Sequence, residues 1–241
     1  MDPAQFVPSI IRDGAAFRTA CVVAGLDAPV ASCPGWTVAD LLRHVADVHY
    51  FWGSLVAQRA TSGRDVARPE RINDDALFDA YDARLARMIE VLTASDPATE
   101  VWTWSADHSV GFVVRRMAQE LAIHRWDAER VMGEAVPIEG SLASDGIDEF
   151  LEHFLPDVVE GSAPVEGSVH IHCGDVAGEW TVRPAPNGYD VTREHAKGDC
   201  ALRGAASDLL LVLWRRLRAD AIDVVGDARV AARFLAATNL D

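Results

Sequence analysis

A chain of 241 residues with 49% apolar and 24% charged side chains can fill one large or two modest cores, which excludes a disordered polypeptide. Its formal net charge of −15, with no basic stripe interleaved with aromatics, excludes sequence-independent binding to nucleic acid phosphates. Residues 1–13 lack a basic segment followed by a long apolar core, and the strongest apolar run, 209–214, is too short to span a bilayer, so a cytoplasmic protein is expected.

In chain order, residues 2–24 carry Phe6, Ile10, Phe17, Val22 and Val23 at helical spacing and end near Gly25. A second helix is predicted from Thr37 to about residue 60. Thr37 and Asp40 are placed as its capping box, with Trp36 able to pack on Leu41 as a hydrophobic staple. Gly, Pro, Arg and Asp make 61–74 a loop, after which Leu77, Tyr81, Leu85, Met88 and Leu92 mark a third helix over 75–94. Residues 101–110, holding Trp102, Trp104 and His108, read as irregular, and a fourth helix covers 111–132 before Gly133 and Pro137. Four long helices with short to medium connections make a bundle, an architecture whose facing side chains build metal sites. Past residue 150, short β-rich runs at 168–173, 179–183, 189–192 and 200–203 predict antiparallel strands, with Asn187-Gly188 as a hairpin turn. Helices are expected at 205–218 and 227–237, with a short strand at 222–225 between them. The expected fold class is therefore α+β, a four-helix bundle over 1–150 followed by a small α+β domain over 151–241.

Two helices place polar groups where the packing pattern demands apolar ones. Glu120 and His124 are i and i+4 neighbours, on the arc that also carries Val113, Met117, Leu121, Ala128 and Val131. His44 repeats the anomaly among Leu41, Val45, Val48, Trp52 and Leu55. An ionised carboxylate on an apolar stripe is costly unless paired or bound to a metal, and two histidines with one carboxylate suffice for a divalent site with an open position. Arg116, four residues before Glu120, offers a plain salt bridge as the competing reading. Asp127 follows His124 by three residues and can orient its imidazole, cap the helix or pair with an arginine. His49 lies roughly 140° round the helix from His44, which fits a structural or substrate-facing role better than a ligand.

His170 and His172 alternate on one strand face with Cys173 on the other, and without an evident fourth partner they read as a solvated face. The acidic run 145–152 reads as a solvated helix face, since it lacks EF-hand spacing. Cys21, Cys33, Cys173 and Cys200 form no C-x-x-C pair, so reduced, mostly buried thiols are expected. There is no P-loop, dinucleotide fingerprint or G-x-S-x-G elbow. On the predicted helix after residue 205, Arg215 and Arg216 stand beside Trp214, either as surface residues of an amphipathic helix or as cations that grip a carboxylate in bidentate fashion despite the net negative charge.

The segments Cys33-Pro-Gly-Trp-Thr-Val-Ala-Asp-Leu-Leu-Arg-His44 and Arg116-Met-Ala-Gln-Glu120-Leu-Ala-Ile-His124-Arg-Trp-Asp-Ala-Glu129 resemble the mycothiol-dependent maleylpyruvate isomerase family of actinobacteria. The likeness extends to Ala143-Ser-Asp-Gly-Ile-Asp-Glu149, to Leu209-Leu-Leu-Val-Leu-Trp214-Arg-Arg and to Val225-Gly-Asp227, and so covers nearly the whole chain. It implies a DinB-like four-helix bundle followed by a domain similar to sterol carrier proteins. It also implies a zinc ion held by His44, Glu120 and His124, and mycothiol as thiol cosubstrate. In the isomerase relatives an arginine of the C-terminal domain is associated with activity, and Arg216 is taken as its counterpart. Gln119 departs from the pattern, since many relatives carry histidine there, and this bears on substrate identity.

A His₂Glu zinc leaves a position where a low-molecular-weight thiol binds as thiolate. That thiolate attacks an electrophilic small molecule once, in an S-transferase, or adds to a cis double bond and leaves again, in an isomerase. The alternatives are a metal hydrolase with an activated water, ferrous oxygen chemistry, or a non-catalytic binding protein with a structural metal.

Overall fold

The computed structural model describes residues 3–155, 166–186 and 188–237. The chain divides into two compact units, Met1–Val136 and Pro137–Asp241.

The first unit is the expected four-helix bundle: α1 (Phe6–Ala24), α2 (Val38–Gln58), α3 (Leu77–Ala94) and α4 (Val110–Arg130). Each begins and ends within a few residues of its predicted bounds. At the head of α2 the capping box forms, with Thr37 N donating to Asp40 Oδ2 at 3.0 Å and Asp40 N to Thr37 Oγ1 at 3.4 Å. The helix closes on Arg59, a non-glycine residue in the left-handed region at φ 49°. α1 packs mainly on α4, and α2 mainly on α3 and then α4. Ile10, Phe17, Leu41, Leu42, Leu55, Leu77, Tyr81, Met88 and Met117 fill the interior. Gly53 lets α2 approach the α3 backbone, because a Cβ there would lie 3.3 Å from Met88 Cα. α4 is enclosed on nearly every side, so even Arg116, His124, Arg125 and Asp127 are buried.

The second unit begins with α5 (Gly140–Glu149), which continues as a π-helical turn, Phe150–Phe154. Strands β1 (Val169–Cys173), β2 (Glu179–Ala185), β3 (Gly188–Thr192), β4 (Cys200–Gly204) and β5 (Asp223–Gly226) form one sheet of order β3-β2-β1-β4-β5. Helix α6 (Ala206–Leu213) packs on α5 and β4, and α7 (Ala228–Ala237) on β4 and β1. Val169, Ile171, Trp180, Val182 and Leu202 are among the buried residues of the sheet's core face.

Four expectations need correction. The domain boundary falls between Val136 and Pro137 rather than after residue 150, because α5 packs on α6 and belongs to the second core. The strands are not all antiparallel: β1 and β4 run parallel, which forces the connection 193–199 to cross the sheet. The run 145–152 is not simply solvated, since Asp145 and Glu149 are buried while Asp148 accepts from Trp180 Nε1 and pairs with Arg193. The helix predicted over 205–218 stops at Leu213, and Arg215 takes a left-handed conformation at φ 58°. Asn187, half of the predicted hairpin turn, lies outside the described residues, although β2 and β3 pair up to Ala185 and Gly188. Among the described residues no helix is long and apolar enough to cross a membrane.

Candidate metal centre

α2 and α4 lie against one another, and their contact brings His44 to Glu120 across 76 positions of sequence. His44 Nε2 and His124 Nε2 lie 3.1 and 3.2 Å from the same oxygen, Glu120 Oε1. The two imidazole rings meet edge to face with centroids 5.1 Å apart. One ligand atom from each of the three residues therefore falls within 4.8 Å of the others. Side-chain exposure grades from 10% at His124 through 18% at Glu120 to 36% at His44, so the cluster is closed on the α4 side and open on the α2 side.

Neighbouring groups fix the orientation of each donor. Asp127, fully buried, accepts from His124 Nδ1 at 2.9 Å, which puts the ring proton there and turns the Nε2 lone pair toward the cluster. Arg116 donates to Glu120 Oε2 at 3.0 Å and leaves Oε1 for the histidines. The salt bridge that competed with the metal reading thus coexists with the cluster instead of replacing it. The Trp36 ring lies 5.1 Å from that of His44, carried by the loop before α2 in which Gly35 turns at φ 83°. Beside His44 opens a cavity of about 430 Å³, lined by Trp36, Asp40, Arg43, Asp47 and Arg71.

Burial alone would raise the Glu120 carboxyl, but His124, His44 and Arg116 hold it well below the ordinary range. Burial opposes charge on His124 too, yet Glu120 and Asp127 outweigh it and push the imidazole up to about 9. The metal-free cluster is a proton-holding one, and a divalent cation competes for the same place. Two imidazole nitrogens, one carboxylate oxygen and a held tautomer make a donor set that fits zinc.

His49 is part of this core but not of the cluster. It is buried beside Tyr81, ring centroids 5.5 Å apart, and burial pulls its pKa down to about 3. Neither ring nitrogen meets a hydrogen-bond partner among the described residues. An unmet buried donor costs ~1–3 kcal/mol. His49→Leu is therefore expected to raise the melting temperature by about 2–4 °C, the shift for about 1 kcal/mol in a chain of this size, with metal content unchanged. A melting temperature at or below that of the parent chain would show the ring to be hydrogen-bonded in solution.

All four cysteines are free, and burial raises Cys21, Cys173 and Cys200 to about 12, 12 and 11. Half-buried Cys33 differs, with its Sγ 3.8 Å from Asp127 Oδ2. That approach spans 94 positions and has no local signature in the sequence. Arg216 lies in the second unit, half-buried, and donates to Trp214 O at 3.0 Å. Its neighbour Arg215 reaches Leu235 O and Ala236 O, so it ties the end of α7 to the turn after α6.

The model for the mycothiol maleylpyruvate isomerase N-terminal domain matches residues 7–129, and that for the C-terminal domain of the same proteins matches 141–233. The chain belongs to the mycothiol maleylpyruvate isomerase family. A crystal structure of a histidine-to-alanine variant of a mycothiol-dependent maleylpyruvate isomerase superposes with a TM-score of 0.66 at 13% identity, covering 93% of each chain. A second structure of mycothiol-dependent maleylpyruvate isomerase gives 0.64 at 12% identity, again over 93% of each chain. At that identity the likeness establishes the fold, a helical bundle followed by an α+β domain. No curated protein matches the chain. The two family models meet between residues 129 and 141, which brackets the division after Val136.

Proposed function

We propose that this family member is a zinc-dependent enzyme that activates mycothiol for attack on an electrophilic small molecule, as an S-transferase or as a cis-trans isomerase of the maleylpyruvate kind. The observation that carries the reading is the convergence of His44 Nε2, Glu120 Oε1 and His124 Nε2 beside an open cavity, with Asp127 and Arg116 fixing the donors. When bound there, zinc would hold an entering thiol as thiolate at neutral pH, although a free thiol titrates near roughly 8.5.

The chain's own part is orientation and charge. Asp127 keeps the His124 proton on Nδ1, and Arg116 keeps Glu120 ionised and turned. Arg71 lines the cavity beside His44 and suits a substrate with an anionic end, while Arg43 is already paired with Asp40 and Asp74 and Trp36 provides an apolar wall. In the transferase the thiolate forms a C–S bond as the leaving group takes its electron pair. In the isomerase it adds to a conjugated cis alkene and the π pair moves toward the carbonyl. Rotation about the new single bond then precedes expulsion of the thiolate. Neither route needs a nucleophile from the protein.

Free-thiol consumption by zinc-loaded protein, with mycothiol and a panel of epoxides, alkyl halides and activated alkenes, tests the transferase. Isomerisation of maleylpyruvate with catalytic thiol tests the other branch. The expected result is an absolute requirement for added thiol that persists in Cys33→Ser. Full turnover without thiol would overturn the reading in favour of a hydrolase using metal-bound water.

The resemblance to the isomerase relatives also nominates Arg216 as a residue needed for turnover. Arg216→Ala is expected to lower turnover about 10-fold or more, the loss of one charged hydrogen-bonded contact, while zinc content and melting temperature stay unchanged. Unchanged turnover would end that assignment of Arg216.

A further inference from the structure

A second cluster of metal-ligand chemistry lies in the second unit, built by parts of the chain that the first centre does not use. On β1, His170 and His172 project from the face opposite Val169 and Ile171. Antiparallel pairing sets Glu179 of β2 directly across from His172. The connection 193–199 then crosses this face on its way from β3 to β4. Glu194 O accepts from Thr181 Oγ1 at 3.2 Å, and the crossing lays the His195 ring against His170, centroids 5.2 Å apart. At Gly198 the connection runs so close to β1 that a Cβ would lie 3.1 Å from His170 N.

Three imidazoles thereby point at one carboxylate oxygen. His170 Nε2, His172 Nδ1 and His195 Nδ1 lie 3.1, 2.8 and 2.5 Å from Glu179 Oε1. A carboxylate oxygen has two lone pairs, so three ring nitrogens oversubscribe it as a hydrogen-bond acceptor. A small divalent cation resolves the excess, because each nitrogen then directs its lone pair at the ion and the oxygen becomes a fourth donor. Ligand atoms of His170, His172 and Glu179 already fall within 4.8 Å of one another. His170 is buried under the crossing and cannot turn away to solvent.

We propose that His170, His172, Glu179 and His195 form a second site for a divalent transition cation of the zinc class, a structural one that clamps the β3 to β4 connection onto the sheet. The nitrogen-rich set disfavours calcium and magnesium, which take oxygen ligands. Four protein donors fill a tetrahedral shell, which marks the site as closed and structural. The expectation of a solvated histidine face without a fourth partner fails for a physical reason. Strand register supplies Glu179 and a parallel crossover supplies His195, and neither is visible in local spacing.

The site is independent of the first centre, so its test begins by silencing that one. The whole 241-residue chain carrying His44→Ala and His124→Ala, stripped with chelator, is titrated with zinc and with cobalt(II). The expected result is one equivalent of zinc per chain, and cobalt d–d bands typical of nitrogen-rich low coordination. Adding His172→Ala and His195→Ala should weaken binding at least 10-fold. Both side chains are well exposed, at 41% and 75%, so the metal-free melting temperature should not move. Zinc should also slow tryptic cleavage after Arg193 and Lys197 at least 10-fold in the silenced chain and not in the fourfold variant. A silenced chain that binds no stoichiometric zinc, or binds it equally well without His172 and His195, overturns the site. Binding without protection of the connection overturns the clamp.

Discussion

Alanine at His44 or at His124 should remove one equivalent of metal and lower thiol turnover by more than about 100-fold, because loss of a mere orienting partner already costs about 10–100-fold. His44→Ala should fold as the parent does, because the His44 side chain is partly exposed, whereas His124→Ala removes a partner of the buried Asp127 and should fold with a lowered melting temperature. Glu120→Ala takes away one partner of the buried Arg116 guanidinium, so it should lose both metal and stability. Glu120→Gln separates the two effects by keeping a hydrogen-bond acceptor for Arg116. Equal metal loss in His49→Ala would show that the constellation is wrong, since that ring lies in the core without joining the cluster.

The same cluster fixes the pH dependence of loading. In the metal-free protein His124 titrates near 9 rather than at its ordinary 6.5, so its proton stabilises that fold fully below 6.5 and the contribution is lost as pH rises through about 9. A metal must expel this proton. Apparent affinity should therefore climb about tenfold per pH unit between 6.5 and 9 and level off above. Competition with a chromophoric chelator across that range reads the slope. A flat profile would mean that His124 is neutral before the metal arrives.

How much of this was legible in the chain depends on the range of the contacts. The bundle was, because apolar periodicity and the Thr37–Asp40 box are local signals. Glu120 and His124 were, because i and i+4 share a helix face. His44 stood out only as a polar group on an apolar arc, and the fold alone joins it to Glu120. The end of α6 was not legible. Leu209 to Trp214 continues a helical pattern, and the residue that breaks it, Arg215 at φ 58°, is an arginine where a glycine or asparagine would have signalled the stop. The domain boundary was missed for a related reason, since α5 has an amphipathic face that would fit either core and only its packing on α6 decides. The parallel pairing of β1 with β4 was hidden because short strands between turn residues look alike in either sense.

The largest effect expected away from the ligands themselves belongs to Asp127. A carboxylate can only accept, so with Oδ2 2.9 Å from His124 Nδ1 it forces the ring proton onto that nitrogen and leaves Nε2 free to donate its lone pair. Asp127→Asn preserves size and burial but replaces the anion with an amide that can also turn its NH₂ toward the ring. Nδ1 then becomes the acceptor, Nε2 carries the proton, and the ligand atom is lost to the cluster without any ligand residue having changed. Metal affinity should fall roughly 10–100-fold. The removed charge is also one of the causes holding the His124 imidazole up, so the pH at which loading levels off should move down. That second readout separates orientation from simple loss of stability, which would lower affinity without displacing the plateau. Cys33→Ser, which alters the other close neighbour of Asp127 Oδ2, should leave both quantities in place. If Asp127→Asn binds zinc as tightly as the parent chain and with the same pH profile, Asp127 serves the packing of α4 and His124 chooses its tautomer unaided.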